Sequence, residues 1–260
     1  MNKSQYLAVL GALALFLGLY FGFDTKTDTQ KTAAHSRALQ AESTSMETLL
    51  EDAKSHLTPA QTAQVNEQEQ LLEKAASDAE KVAVMKRLSG LWYDFGQIPV
   101  AGGYAEQIAG IENADTSWSV AGATFYNGLV TSQDATIRSY CADHAVKAFE
   151  SAASLNPDQA EHRVNLALVY AENPPPDNPM QAVLMLRDLE KKYPENPAVF
   201  NALGRLAIKT GQWQRAVDRL EKAWSLDKKN QNTPCLLAKA YEGLGNSIKA
   251  NEFAKICNAQ

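Results

Sequence analysis

The side chains best suited to chemistry are few and scattered. The three cysteines, Cys141, Cys235 and Cys257, have no CxxC spacing for zinc or thioredoxin-like exchange, and they are too few for a disulfide scaffold. The four histidines, His35, His56, His144 and His162, stand singly, and no HExxH, GxSxG or phosphate-loop glycine pattern occurs. Cys141 and His144 are three residues apart on a helix, but two potential ligands do not make a metal site, and the pair reads as structural. The chemistry left is non-covalent. Arg205 and Lys209 lie one helical turn apart and can present paired donors to a carboxylate. The expectation is a protein that is not an enzyme, with no catalytic, cofactor-binding or metal-ligating residues. An active site in the irregular stretch Tyr126 to Cys141, or shared with a partner, is the alternative.

Composition narrows the partners. Of 260 residues, 45% are hydrophobic and 21% charged, which supplies a core and excludes disorder of the whole chain. With 25 basic against 30 acidic residues the formal charge is -5, opposite to the footprint of a nucleic-acid binder.

The elements that must position these side chains begin with the run Tyr6 to Phe23, eighteen residues without a charge. As a helix it rises about 27 Å, close to a hydrocarbon core of about 30 Å. It ends in LYFGF, bulky where a signal peptidase needs small residues, so residues 1–23 read as an uncleaved membrane anchor rather than a cleaved signal. Lys3 and the amino terminus place the start in the cytoplasm and the rest outside it. Ala14, Gly18 and Gly22 share one face of the span, and Gly18 with Gly22 forms a GxxxG, a spacing that suits a helix-packing contact with a partner or a second copy. Residues 24–40 are polar and threonine-rich, a linker, and residues 41–76 read as two amphipathic helices that either cap the C-terminal helices or project as an arm. Thr58, Pro59 and Gln61 signal the start of the second.

A repeat runs through residues 77–260. Its clearest unit is Phe200, Leu203, Gly204, Ala207, Gly211, Ala216, Leu220, Ala223 and Leu226. Thirty-four residues on come Leu237, Ala238, Tyr241, Gly245 and Ala250. Earlier registers are Leu166, Ala167, Tyr170 and Ala182, with AENPPPDNP inserted in the turn; Trp118, Ala121, Gly122, Phe125 and Ala145, with a longer segment between that reads as an extended start of the second helix; and Leu88, Ser89, Trp92, Gly96 and Ala101. Capping signals agree, at Ser77 with Glu80, Asn178 with Pro179, and Asn196 with Pro197.

This spacing resembles the tetratricopeptide repeat, with about five units. The resemblance implies an all-α, right-handed solenoid of helix pairs, preceded here by the N-terminal transmembrane helix, with a groove lined by the first helix of each pair. The family's groove positions fall on Lys86, Tyr93, Ser119, Ala123, Tyr126, Asn127, Asn201, Arg205, Lys209 and Lys239, a mix suited to an extended peptide with acidic groups. Taken singly, the basic side chains among them are better explained as a solvated helix face, and the family's carboxylate clamp is not reproduced. The expected function is a membrane-anchored protein–protein interaction module, a scaffold or chaperone-like adaptor with a protein partner and no cofactor, on the periplasmic side of a bacterial inner membrane. The alternative is a structural subunit assembling through the GxxxG face with the solenoid as spacer. No long amphipathic capping helix is read after the last unit, which is expected to expose apolar surface or to be covered by a partner or a second copy. Cys235 and Cys257 lie near the ends of the final helix pair, and read as buried free thiols, with a disulfide as the alternative.

Overall fold

The computed structural model describes residue 5 and residues 44–259. The apolar run Tyr6 to Phe23, its face of Ala14, Gly18 and Gly22, and the linker 24–40 lie outside the described residues. Among those described, no helix is long and apolar enough to cross a membrane.

Capping chemistry sets where the helices begin. Ser45 accepts from the Thr48 N–H at the start of α1 (Met46–Ser55). Thr58 with Gln61 opens α2 (Pro59–Lys74), and Ser77 with Glu80 opens α3 (Asp78–Asp94), both as reciprocal capping boxes. There follow α4 (Ile98–Glu112), α5 (Asp115–Thr131), α6 (Ala135–Leu155), α7 (Ala160–Glu172), α8 (Gln181–Lys192), α9 (Pro197–Lys209), α10 (Trp213–Leu226), α11 (Asn232–Gly243) and α12 (Ser247–Asn258). No strand occurs among the described residues. From α3 onward the helices form five successive hairpins, each packed on the next, and the first helices α5, α7, α9 and α11 also touch in series. Five pairs are what the repeat registers predict.

Three hairpins share one turn. Gly96, Gly211 and Gly245 sit at φ +78°, +69° and +80°, the left-handed region that only glycine enters without strain. In each the glycine N–H bonds three residues back, to Tyr93, Ile208 or Glu242, and the next N–H bonds five back, to Trp92, Ala207 or Tyr241.

Two expectations are corrected. Residues Tyr126 to Cys141 are not irregular: α5 runs 17 residues to Thr131 and α6 takes 21 from Ala135, so the extra length of this unit is helix on both sides of a short turn. Asp134 caps α6 by accepting from Thr136 and Ile137, which lets it start early. Nor is Asn178 a helix cap. Its N–H bonds to the Pro175 carbonyl and its own carbonyl takes the Gln181 N–H, so the proline-rich segment closes on itself and α8 starts at Gln181. Asn196 does cap α9, accepting from Ala198, with Pro197 in the first turn.

Close helix crossings need the small residues of the repeat. A Cβ on Gly204 would lie 2.5 Å from Leu220 Cγ, and one on Gly122 2.8 Å from the Phe149 ring. The core they admit runs through every pair, from Leu88 and Trp92 through Phe125, Phe149 and Leu186 to Leu220, Leu237 and Tyr241. Helices α1 and α2 belong to this stack: Ala53 and Val65 are buried in one cluster with Leu88 and Trp92, and the Met46 side chain lies over Gly103 of α4. They cap the first pair and do not project as an arm. In the last pair Cys235 and Cys257 are joined in a disulfide, Cα atoms 5.0 Å apart, so they are not the free thiols expected. There Leu244 and Ile248 are exposed, Ile248 at 83%.

Candidate functional site

Because the first helices touch in series, side chains from successive units meet on one face. Leu168 of α7, Arg205 of α9 and Lys239 of α11 occupy the same register position, and all three line a hollow of about 360 Å³. Ala171 and Glu172 of α7, Leu206, Ile208 and Lys209 of α9, and Leu236 of α11 complete it. Its floor is aliphatic and its rim cationic. Lys209 Nζ donates to the Ala171 carbonyl at 2.6 Å and to Glu172 Oε2 at 2.8 Å, which neutralises that pair. Arg205 Nη2 donates to the Tyr126 hydroxyl at 3.1 Å, with the guanidinium carbon 6.0 Å from the ring centre. This contact bridges α9 to α5 past the intervening α7. Burial raises the Tyr126 hydroxyl above its usual range; the Arg205 charge pulls the other way without overcoming it. The phenol therefore stays protonated at neutral pH. Lys239 is exposed and has no hydrogen bond or ion pair among the described residues. Against Arg205, Lys209 and Lys239 the lining carries one carboxylate, Glu172, so the hollow is positive in a chain of net charge -5.

The structure thus gathers Tyr126, Arg205, Lys209 and Lys239. Tyr93 and Asn127 form a second group, with Asn127 Nδ2 donating to the exposed Tyr93 hydroxyl at 2.8 Å. Lys86 and Asn201 are engaged in holding the stack. Lys86 pairs with Glu112 at 2.7 Å, and Asn201 Oδ1 accepts from Thr233 at 2.9 Å, tying α9 to α11. Leu168, Leu206 and Leu236 were absent from the sequence-derived set, which weighed polar positions; the register shared with Arg205 and Lys239 is the signal that marks Leu168.

Ser119 enters a different arrangement. Asp115 Oδ2 accepts from His162 Nε2 at 3.0 Å and from Asn156 Nδ2 at 2.9 Å, leaving His162 Nδ1 to accept from the Ser119 hydroxyl at 2.8 Å. The hydrogen bonds from Asn156 and His162 hold the Asp115 carboxyl below its usual range. Serine, histidine and aspartate in sequence suggest a nucleophile, but Ser119 lies inside α5, where the neighbouring N–H groups belong to the helix ladder and offer no oxyanion donors. His162 is 4% exposed and joins α7 to α5, a buried polar strut.

A second polar cluster also binds helices together. Glu106 of α4 accepts from His144 Nδ1 and Lys147 Nζ of α6, each at 2.6 Å. Burial raises the Glu106 carboxyl, yet these two hydrogen bonds and their charges outweigh it and the net shift is downward. Cys141, beneath Gly128, is fully buried, which pushes its thiol up to about 12 and leaves it unreactive. Among the described residues no group of three or more metal-ligating side chains comes together.

No protein-family model matches the chain, and no curated protein matches it in sequence. Solved structures do. The chain is similar to TTC0263, a thermophilic TPR protein of Thermus thermophilus, at 18% identity and a TM-score of 0.50 over 70% of this chain and 91% of that one. It is also similar to a chain of the APC/C hetero-tetramer Cut9–Hcn1, at 17% identity and a TM-score of 0.51, covering 81% of this chain and 38% of that one.

Proposed function

The chain has the tetratricopeptide-repeat fold, and from that premise we propose that it is a protein–protein interaction module held at a membrane by residues 6–23, with no chemistry of its own. Its client is a peptide segment bearing a carboxylate beside an apolar side chain, laid across α7, α9 and α11. The observation that carries this reading is the hollow itself: an aliphatic floor from Leu168, Leu206 and Leu236 beneath Arg205 and Lys239, neither of which meets a carboxylate among the described residues. An apolar side chain would gain about 25 cal/mol per Å² on the floor, and a carboxylate would gain charge-assisted donors at the rim. The Cys235–Cys257 bond supports placing the solenoid outside the cytoplasm, where such bonds persist. The periplasmic side of a bacterial inner membrane is the compartment we propose.

Photoreactive residues at Tyr126, Arg205 and Lys239 of the full-length anchored protein test the reading in cells. Shared partners at these sites, absent from probes at Leu184 and Lys222 on the second helices, are expected. Capture of only its own copies at every site would overturn it and favour assembly through Gly18 and Gly22.

A further inference from the structure

The final helix pair is closed at both ends by different chemistry. At one end Gly245 makes the left-handed turn; at the other the Cys235–Cys257 bond joins the first turn of α11 to the last turn of α12, across a separation of 22 residues. Between these closures α12 buries one side chain and packs two more in part against the core. Phe253 is its sole buried residue, stacked on Tyr241 at 5.8 Å and edge-on to Trp224 at 6.5 Å. Ala250 and Ile256 pack half-buried against the same core, and Lys249 Nζ donates to the Tyr241 hydroxyl at 2.8 Å and to Glu221 at 3.2 Å. The same Tyr241 belongs to α11, the helix that supplies Leu236 and Lys239 to the hollow. Leu236 follows Cys235 directly and Lys239 lies one turn further on. Cys235 and Cys257 are both half-buried, in contrast to Cys141, so a reductant reaches this pair and not the third thiol.

We propose that the Cys235–Cys257 disulfide is a redox-sensitive latch on the groove: oxidised, it presses α12 against α11 and fixes the third wall of the hollow; reduced, it lets α12 leave and that wall loosen. The reductant is a dithiol. Its thiolate attacks one sulfur and expels the other as a thiolate; its second thiol then displaces the first sulfur, leaving Cys235 and Cys257 as thiols and the dithiol oxidised to its own disulfide. Two electrons pass and no other bond changes. The latch itself stands on the packing of the last pair; its consequence for a client rests on the reading of the groove given above.

Amide hydrogen exchange on the full-length protein in detergent micelles tests the latch without a client. The oxidised protein is compared with protein reduced by dithiothreitol and then reoxidised, and with the Cys235→Ser/Cys257→Ser variant. The expected result is an at least tenfold loss of protection in α11 and α12 on reduction and in the variant, unchanged protection in α3 to α8, and recovery on reoxidation. Unchanged protection in α11 would overturn the latch, as would a loss spread evenly over all five pairs. A parallel crosslinking arm separates the two readings. Loss of client capture at Lys239 on reduction supports the coupling, and absence of any client in both states, with exchange behaving as expected, leaves the latch and removes the groove reading.

Discussion

Leu220 folds over Gly204 so closely that a single added methyl has nowhere to go, since it would meet the branched Cγ at 2.5 Å as well as Cδ2 at 2.6 Å, and moving Cγ means moving the whole side chain. Gly204→Ala should therefore destabilise the protein by about 1–3 kcal/mol despite alanine's better helix propensity. Gly110→Ala, on an exposed turn of α4 with nothing within 4 Å, should stabilise it by about 0.5–1 kcal/mol. Urea unfolding of the two variants separates packing from propensity. Charge at Glu106 sets a pH dependence. Its folded carboxyl lies below its ordinary 4.5, so the stabilisation is fully present above about pH 4.5 and is lost as pH falls through the lower folded value. Glu106→Gln should cost about 1.5–3 kcal/mol at neutral pH, by loss of charged hydrogen bonds, and flatten the acid limb of stability below about pH 4.5. An unaltered acid limb would mean that the cluster with His144 and Lys147 does not couple α4 to α6.

Among the elements, what the sequence made legible was what repeats or what is local. Gly96, Gly211 and Gly245 recur at the same hairpin position because one turn geometry recurs, and the capping boxes at Thr58 and Ser77 are complete within four residues. The strain is testable where space is not limiting: no atom lies within 4 Å of a Cβ on Gly211, so Gly211→Ala should cost about 1–2 kcal/mol from its positive φ alone, read as a lower urea midpoint. What failed was local pattern overridden by neighbours. Asn178 before Pro179 has the form of a helix start, but the Pro175 carbonyl takes its N–H first. The segment after Phe125 reads as irregular because its polar residues hide a helical period, yet the early start of its second helix was legible from its length, and Asp134, which caps α6, marks where that helix begins. The cysteine pair depended on how two helix ends approach, which the register of the final unit brings close without deciding the bond.

At the scale of the whole molecule, the groove is a product of stacking that spacing could only partly anticipate. Arg205 and Lys239 fall 34 residues apart, one repeat, and could be aligned from sequence; Arg205 and Tyr126 meet across 79 positions only because three first helices stack in series. Packing inside the first hairpin sends Lys86 to Glu112, and stacking sends Asn201 to Thr233, engaging between helices two side chains that the register assigned to the groove. Of the polar positions read from the sequence, those that stay available cluster in the C-terminal half, over a leucine floor, with positive charge set in an acidic chain. The central claim is that this hollow holds a carboxylate-bearing client. The most direct measurement is the crosslinking yield from a photoreactive residue at Leu236 in the full-length protein, compared with the same probe in an Arg205→Glu/Lys239→Glu background. A fall of at least tenfold, with a probe at Lys222 unaffected, is the predicted result; equal capture of the same partner in both backgrounds would contradict it.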